Sequence, residues 1–189
     1  MGDTPDALER ALTHAQKGAE VEPNNGEAPR LLARIHLAWG DFDQALALSE
    51  RAVMLNPNTS DILVNHGLIL TYLGRAEEGI DWSEKAMRLN PHHPTWYRSV
   101  LALGQYVDGR YEEAIKTLAS NSTPDMVRPV LPAAYVRLGR LEDARRHAQA
   151  ILEADPNYNL RDLTKYLPFR NPDDLRRYLE DLRAAGLPE

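Results

Sequence analysis

Pro23, Pro57 and Pro91 stand 34 residues apart, and so do Gly40 and Gly74. Self-similarity at such a period constrains the fold more than any composition does. Each unit is a supersecondary piece that cannot bury its apolar face alone, so neighbouring units must stack. The stretch Thr59 to Pro91 shows the unit most fully: an apolar segment, the turn Leu73-Gly74-Arg75, a second segment opening on acids, and the closing Asn90-Pro91. Apolar residues recur at helical rather than strand spacing. The expectation is an all-α helical-repeat solenoid of about four helix pairs.

Taken in order, Thr4-Pro5-Asp6 reads as a helix start, with a hydroxyl cap and proline at the first helical position. That helix runs to about Val21, with Leu8, Ala11, Leu12, Ala15 and Ala19 on one side, and occupies the second-helix place of a half repeat, 4–25. The chain thus starts in mid-repeat. Repeats follow at about 26–59, 60–93, 94–124 and 125–157, making 1–157 the solenoid. Asp41 with Gln44 three residues later resembles a capping box. Small residues recur at three places, Ala33, Ala45 and Ala52 in one repeat and Gly67, Gly79 and Ala86 in the next, as close helix crossing requires. Asn121-Ser122-Thr123-Pro124 cuts the third repeat short, and Pro129 and Pro132 predict a shortened or bent first helix in the fourth. Residues 158–189 read as capping helices, the last started by Asn171-Pro172 and lined by Leu175, Tyr178, Leu179 and Leu182.

The runs GDFDQAL, GRAEEGI, GRYEEAI and GRLEDAR at the turns, with LNPN, LNPH and ADPN at the repeat ends, resemble the tetratricopeptide repeat. The resemblance implies a right-handed solenoid that holds a protein or peptide in a concave groove lined by first helices. Carried onto this chain, the groove residues are Arg30, Arg34 and Leu37, then Asp61, Asn65, Leu68 and Tyr72, then Trp96, Ser99, Leu103 and Tyr106. Arg30, Arg34 and Asn65 resemble half of a clamp for a peptide's terminal carboxylate, since arginine and asparagine offer several donors to an anion. The other half would need cations where Trp96 and Val100 stand. The plainer expectation is that Arg30 and Arg34 pair with acids such as Glu27. The runs at 90–115 and 167–189 are also similar to the end of the repeat region in bacterial class III adenylate/guanylate cyclases. That likeness implies a carboxyl-terminal regulatory or assembly region of a larger signalling enzyme.

Composition removes other classes. Without cysteine there is neither a disulfide nor a thiolate metal site. The six histidines show no metal-ligand spacing; His36 and His66 read as packed or groove-lining, and His92-His93 as loop residues. The glycines form no phosphate-binding loop. Glu77-Glu78 and Glu112-Glu113 open second helices, where the dipole favours acids, and Ser49 and Ser83 share a repeat position as small packing residues. No enzyme activity and no cofactor are expected. The net charge of −6 lies in residues 1–94, with 8 Lys/Arg against 14 Asp/Glu, while 95–189 balance at 14 each. Nucleic acid needs a basic footprint and is not expected. No apolar run approaches the ~18 residues of a membrane span, and MGDTPDALER lacks the apolar region of a signal peptide. The expected location is cytoplasmic. The open amino-terminal edge offers a surface for a second copy, so homo-oligomer formation is a further expectation.

Overall fold

The computed structural model describes residues 5–119 and 129–189, which form eleven α-helices and no strand. The Thr4 cap and the 121–124 interruption lie outside the described residues. The chain divides into two compact units, 1–93 and 94–189. The first contains α1 (Pro5–Val21), α2 (Glu27–Ala38), α3 (Phe42–Leu55), α4 (Ser60–Tyr72) and α5 (Ala76–Leu89). The second contains α6 (Thr95–Val107), α7 (Tyr111–Ala119), α8 (Val130–Arg137), α9 (Leu141–Ala154), α10 (Leu160–Thr164) and α11 (Pro172–Ala184). Each helix from α1 to α4 packs on the next, and α2 also meets α4. In the second unit α6 to α9 pack likewise, α6 also meets α8, and α11 lies against α8.

The pairs are closed by a common turn. At Gly74, φ is +83°, a conformation that side chains other than glycine's disfavour. Its N–H donates to the Thr71 carbonyl at 3.1 Å while the Arg75 N–H reaches back to Leu70 at 2.9 Å. These two bonds satisfy carbonyls the helix end would leave bare. Gly40, Gly109 and Gly139 repeat the same pair of bonds. The tight turn leaves the next residue in an intermediate conformation, and this decides the outcome at Asp41. Its ψ of 73° falls short of the extended geometry from which a side chain caps a helix, and no capping bond forms. The expected capping box is absent; the Asp41 carboxylate meets His36 Nδ1 at 3.0 Å instead.

Small residues hold the helices close. Ala33, Ala45, Ala52 and Ala86 are buried at 0–1% exposure. Between α4 and α5 the backbones themselves approach: a Cβ on Gly67 would lie 2.6 Å from the Gly79 carbonyl, and one on Gly79 would lie 2.5 Å from Thr71 Oγ1. Thr71 and Ser83 donate their hydroxyls to the Gly67 and Gly79 carbonyls at 3.0 and 2.8 Å. The core of the first unit is therefore made by close approach as much as by large side chains.

In the second unit α7 spans nine residues and α8 only eight. Pro129 caps α8 and Pro132 sits at its third position. An amide there would have no intrahelical acceptor, so neither proline breaks a bond. The helix is short and starts on its prolines. Asn159 and Asn171 cap α10 and α11, accepting from the amides of Asp162 at 2.8 Å and Asp173 at 3.0 Å. The Leu160 N–H donates to the Pro188 carbonyl at 2.8 Å, tying the chain end to α10.

Candidate functional site

The sequence-derived groove residues fall on the first helices of the pairs, and each unit presents its own face. In 1–93 the residues come from α2 and α4. Arg30 Nε and Nη2 both donate to Glu27 Oε2, at 2.8 and 2.7 Å, so this arginine has the acidic partner expected for it. Arg34 does not. Its Nη1 donates to Asn65 Oδ1 at 3.1 Å, and no carboxylate among the described residues is paired with it. Asn65 is nearly closed to solvent at 3% exposure, and its Nδ2 donates to the Asp61 carbonyl at 2.7 Å. The amide is thus locked at both ends and orients the guanidinium.

Arg34 is exposed as a residue, yet many protein atoms surround its guanidinium. That crowding is the main cause that lowers its pKa; the neighbouring Tyr72 acts to raise it and Arg30 to lower it. The charge persists, since arginine stays protonated in proteins. Burial pushes Tyr72 up to about 12, with Arg34 pulling the other way. Arg30, Arg34, Asn65 and Tyr72 are therefore neighbours. Asp61 is exposed, while Leu37 and Leu68 are buried and form the floor rather than the contact surface. Leu31 and Ala38, one turn either side of Arg34 on the exposed side of α2, were not anticipated as surface residues. Leu31 also borders an open hollow of about 390 Å³ between α1 and α2, with Lys17, Gly18, Val21 and Ala28.

In 94–189 the predicted residues lie on α6. Trp96 is half-buried and packs edge-on against Tyr97, centroids 4.6 Å apart. The Ser99 hydroxyl is buried without a hydrogen-bond partner among the described residues, and Leu103 is buried. Tyr106 is wholly buried, and its hydroxyl donates to Asp181 of α11. Arg137 at the end of α8 donates from Nε to the same carboxylate oxygen at 2.6 Å. Burial raises the Tyr106 pKa, and the Asp181 carboxylate adds to that. Asp181, itself 5% exposed, was missed in the sequence. The available signal was an acid three residues after Tyr178 and beside Leu182, inside an apolar stripe. His66, by contrast, is structural. It is buried with Nδ1 2.9 Å from the Ser49 hydroxyl and its ring edge-on to Trp82 at 5.1 Å. Among the described residues no cluster of side chains could hold a metal ion, and no helix is long and apolar enough to cross a membrane.

Family models described as tetratricopeptide repeat match residues 6–63 and 60–93. Among known proteins, anaphase-promoting complex subunit 7 of Dictyostelium discoideum is 29% identical over 159 residues, covering 81% of this chain and 27% of that protein. The chain thus spans about a quarter of that relative's length. Among solved structures, PilW, a type IV pilus biogenesis factor, superposes with a TM-score of 0.71 at 18% identity, covering 94% of this chain and 81% of that one. YrrB, described as a TPR protein with an unusual peptide-binding site, gives 0.57 at 17% identity, covering 90% of each. At such identities the likeness is one of fold. Residues 6–93 are thus similar to tetratricopeptide repeats, and the all-α architecture is that of the tetratricopeptide-repeat solenoid fold.

Proposed function

We propose that this chain binds a protein or peptide partner on the first-helix face of residues 1–93, with Arg34 reading an anionic group of that partner. Tetratricopeptide-repeat proteins in general mediate protein–protein interaction, and the repeats recognised here lie in this unit. The observation that carries the reading is the contrast between two adjacent arginines. Arg30 is neutralised by Glu27, whereas Arg34 is exposed as a residue, oriented by a buried amide and without a carboxylate among the described residues. A guanidinium held in this way has donors left for a partner's carboxylate, which it can meet bidentately. Exposed Leu31 and the hollow beside it suit an apolar side chain next to that anion.

Charge narrows the partner further. Residues 1–93 hold 8 Lys/Arg against 14 Asp/Glu, so their long-range field repels an acidic tract. The fitting partner is a segment with one carboxylate, terminal or side-chain, beside an apolar residue. Selection of peptides by display against the whole chain tests this. Selected peptides are expected to share an acid next to an apolar residue and to lose about tenfold or more in affinity for an Arg34→Glu variant. Peptides that share no acid, or that bind the variant as tightly, overturn the assignment.

A second reading is a regulatory or assembly region of a larger signalling enzyme. It rests only on the resemblance to cyclase-associated repeats read from the sequence at runs 90–115 and 167–189, and the relatives reported above add nothing to it. Isolation of the native polypeptide with an antibody to 167–189, followed by its mass, tests it. Upstream catalytic peptides on the same chain support the reading, and a mass near 21.3 kDa ends it.

A further inference from the structure

We infer that the first-helix face of residues 94–189 is a helix-binding site, that α11 occupies it as an internal ligand, and that it accepts in trans an amphipathic helix bearing the same Tyr-x-x-Asp-Leu pattern. The starting observation is where α11 lies. Among the helices that precede it, a first helix here packs mainly on the second helix of the pair before, α4 on α3 rather than α2 and α8 on α7 rather than α6. Were α11 a continuation of the stack, α9 would be its main neighbour. It lies instead against α8, a first helix, and its side chains reach the end of α6, another first helix. The face that the repeat pattern marks for ligands is thus the face α11 covers.

The contacts are those of recognition rather than of simple apolar capping. Asp181 accepts from the Tyr106 hydroxyl of α6 and from Arg137 of α8 at 2.6 Å, so one buried carboxylate bridges both first helices. Arg177 Nη2 donates to the Val107 carbonyl at the end of α6, at 3.1 Å. Tyr178 packs edge-on against Tyr106 with centroids 5.1 Å apart, and Leu182 is fully buried beside it. A buried carboxylate is tolerated only where donors satisfy it. The face therefore selects a helix with an aromatic residue, an acid three positions later and leucine after that, and rejects one without the acid. Asn171 starts α11 independently of the face, and the short segment 165–171 with the Leu160–Pro188 hydrogen bond joins it to α10 rather than to α6 or α8. Release of α11 from the face therefore breaks no chain connection to α6 or α8. Tethered in cis at an effective concentration of roughly millimolar, α11 outcompetes a dilute partner, so access to the face is governed by its release.

The test uses the whole chain and a labelled peptide spanning residues 168–189. Wild-type protein is expected to bind the peptide weakly, because its own α11 is in place. An Asp181→Ala chain, whose α11 is loosened, is expected to bind the wild-type peptide at least about tenfold more tightly than the wild-type chain does. A peptide carrying Asp181→Ala is expected to bind neither. Equal binding by the two chains, or equal binding of the two peptides, overturns the inference. Should the variant fail to fold by circular dichroism, hydrogen exchange on the wild-type chain decides. Amides of 175–187 are then expected to exchange at least about tenfold faster than those of 134–137 in α8. The same protection in both segments would make α11 an integral part of the unit and overturn the inference. Neither readout involves Arg34, so failure here leaves the proposed partner site on residues 1–93 standing, and the reverse.

Discussion

His66 links the stability of the first unit to pH. Burial lowers its pKa from 6.5 to about 4, with Arg75 also lowering it and Glu78 raising it. Above pH 6.5 the imidazole is neutral in both folded and unfolded chains and contributes no slope. Between 6.5 and about 4 the unfolded chain takes up the proton and the folded one does not, so stability falls as pH falls. Urea unfolding at pH 7 and pH 4.5 should show a loss of about 2–3 kcal/mol in the wild type that a His66→Gln variant largely lacks. Gly79 makes a second prediction at this scale. Alanine is the better helix former by about 1 kcal/mol, but its Cβ would meet the Gly67 carbonyl at 2.6 Å, and that atom is backbone. Overpacking wins, and Gly79→Ala should destabilise by about 1–3 kcal/mol in urea unfolding. The small residue at this place was legible because Ala45, Gly79 and Ala114 share one repeat position. The role of Asn65 was legible in kind only. Its spacing placed it on the groove side of α4, but which arginine it would orient depends on how far α2 and α4 approach.

Among the elements, α8 and α11 show what the chain states plainly and what it does not. Prolines at 129 and 132 announced a short first helix, and α8 is eight residues long. Pro132 occupies a position whose amide would lack a partner, so Pro132→Ala restores no hydrogen bond; its ring is buried, and the cavity left should destabilise by about 1 kcal/mol in thermal or urea unfolding. The caps of α10 and α11 were equally local and equally legible. The resting place of α11 was not. Helical periodicity showed that Tyr178 and Leu182 face a neighbour, and stacking logic placed that neighbour at the end of the solenoid. The docking on α8 depends on Asp181 meeting Tyr106 and Arg137, residues 75 and 44 positions away, and no local pattern encodes such a meeting. Asp181→Ala leaves the buried Tyr106 hydroxyl without its acceptor, at a cost of about 1–3 kcal/mol. The Arg137 side chain is about one-third exposed, so its ion pair adds little more. Urea unfolding followed by a probe in 94–189 should register this loss.

At the scale of the whole molecule, the 34-residue period predicted helix pairs throughout, and helix pairs are what form. The division at residue 93 was not predicted, because the period passes through it nearly unbroken, Gly74 to Gly109 being 35. The two units differ in charge and in what surrounds their first helices. The first is acidic overall yet presents an uncommitted Arg34, and the second is balanced and has its face covered by α11. Partner binding at the first unit is accordingly what we propose. The most direct measurement is quantitative capture of companions from the chain's own cells by the wild type and by an Arg34→Glu/Asn65→Ala variant. A circular-dichroism spectrum like the wild type's would establish that the variant is folded. At least one companion retained by the wild type should fall by about tenfold or more with the variant. Retention of every companion at wild-type levels by the folded variant would contradict the assignment.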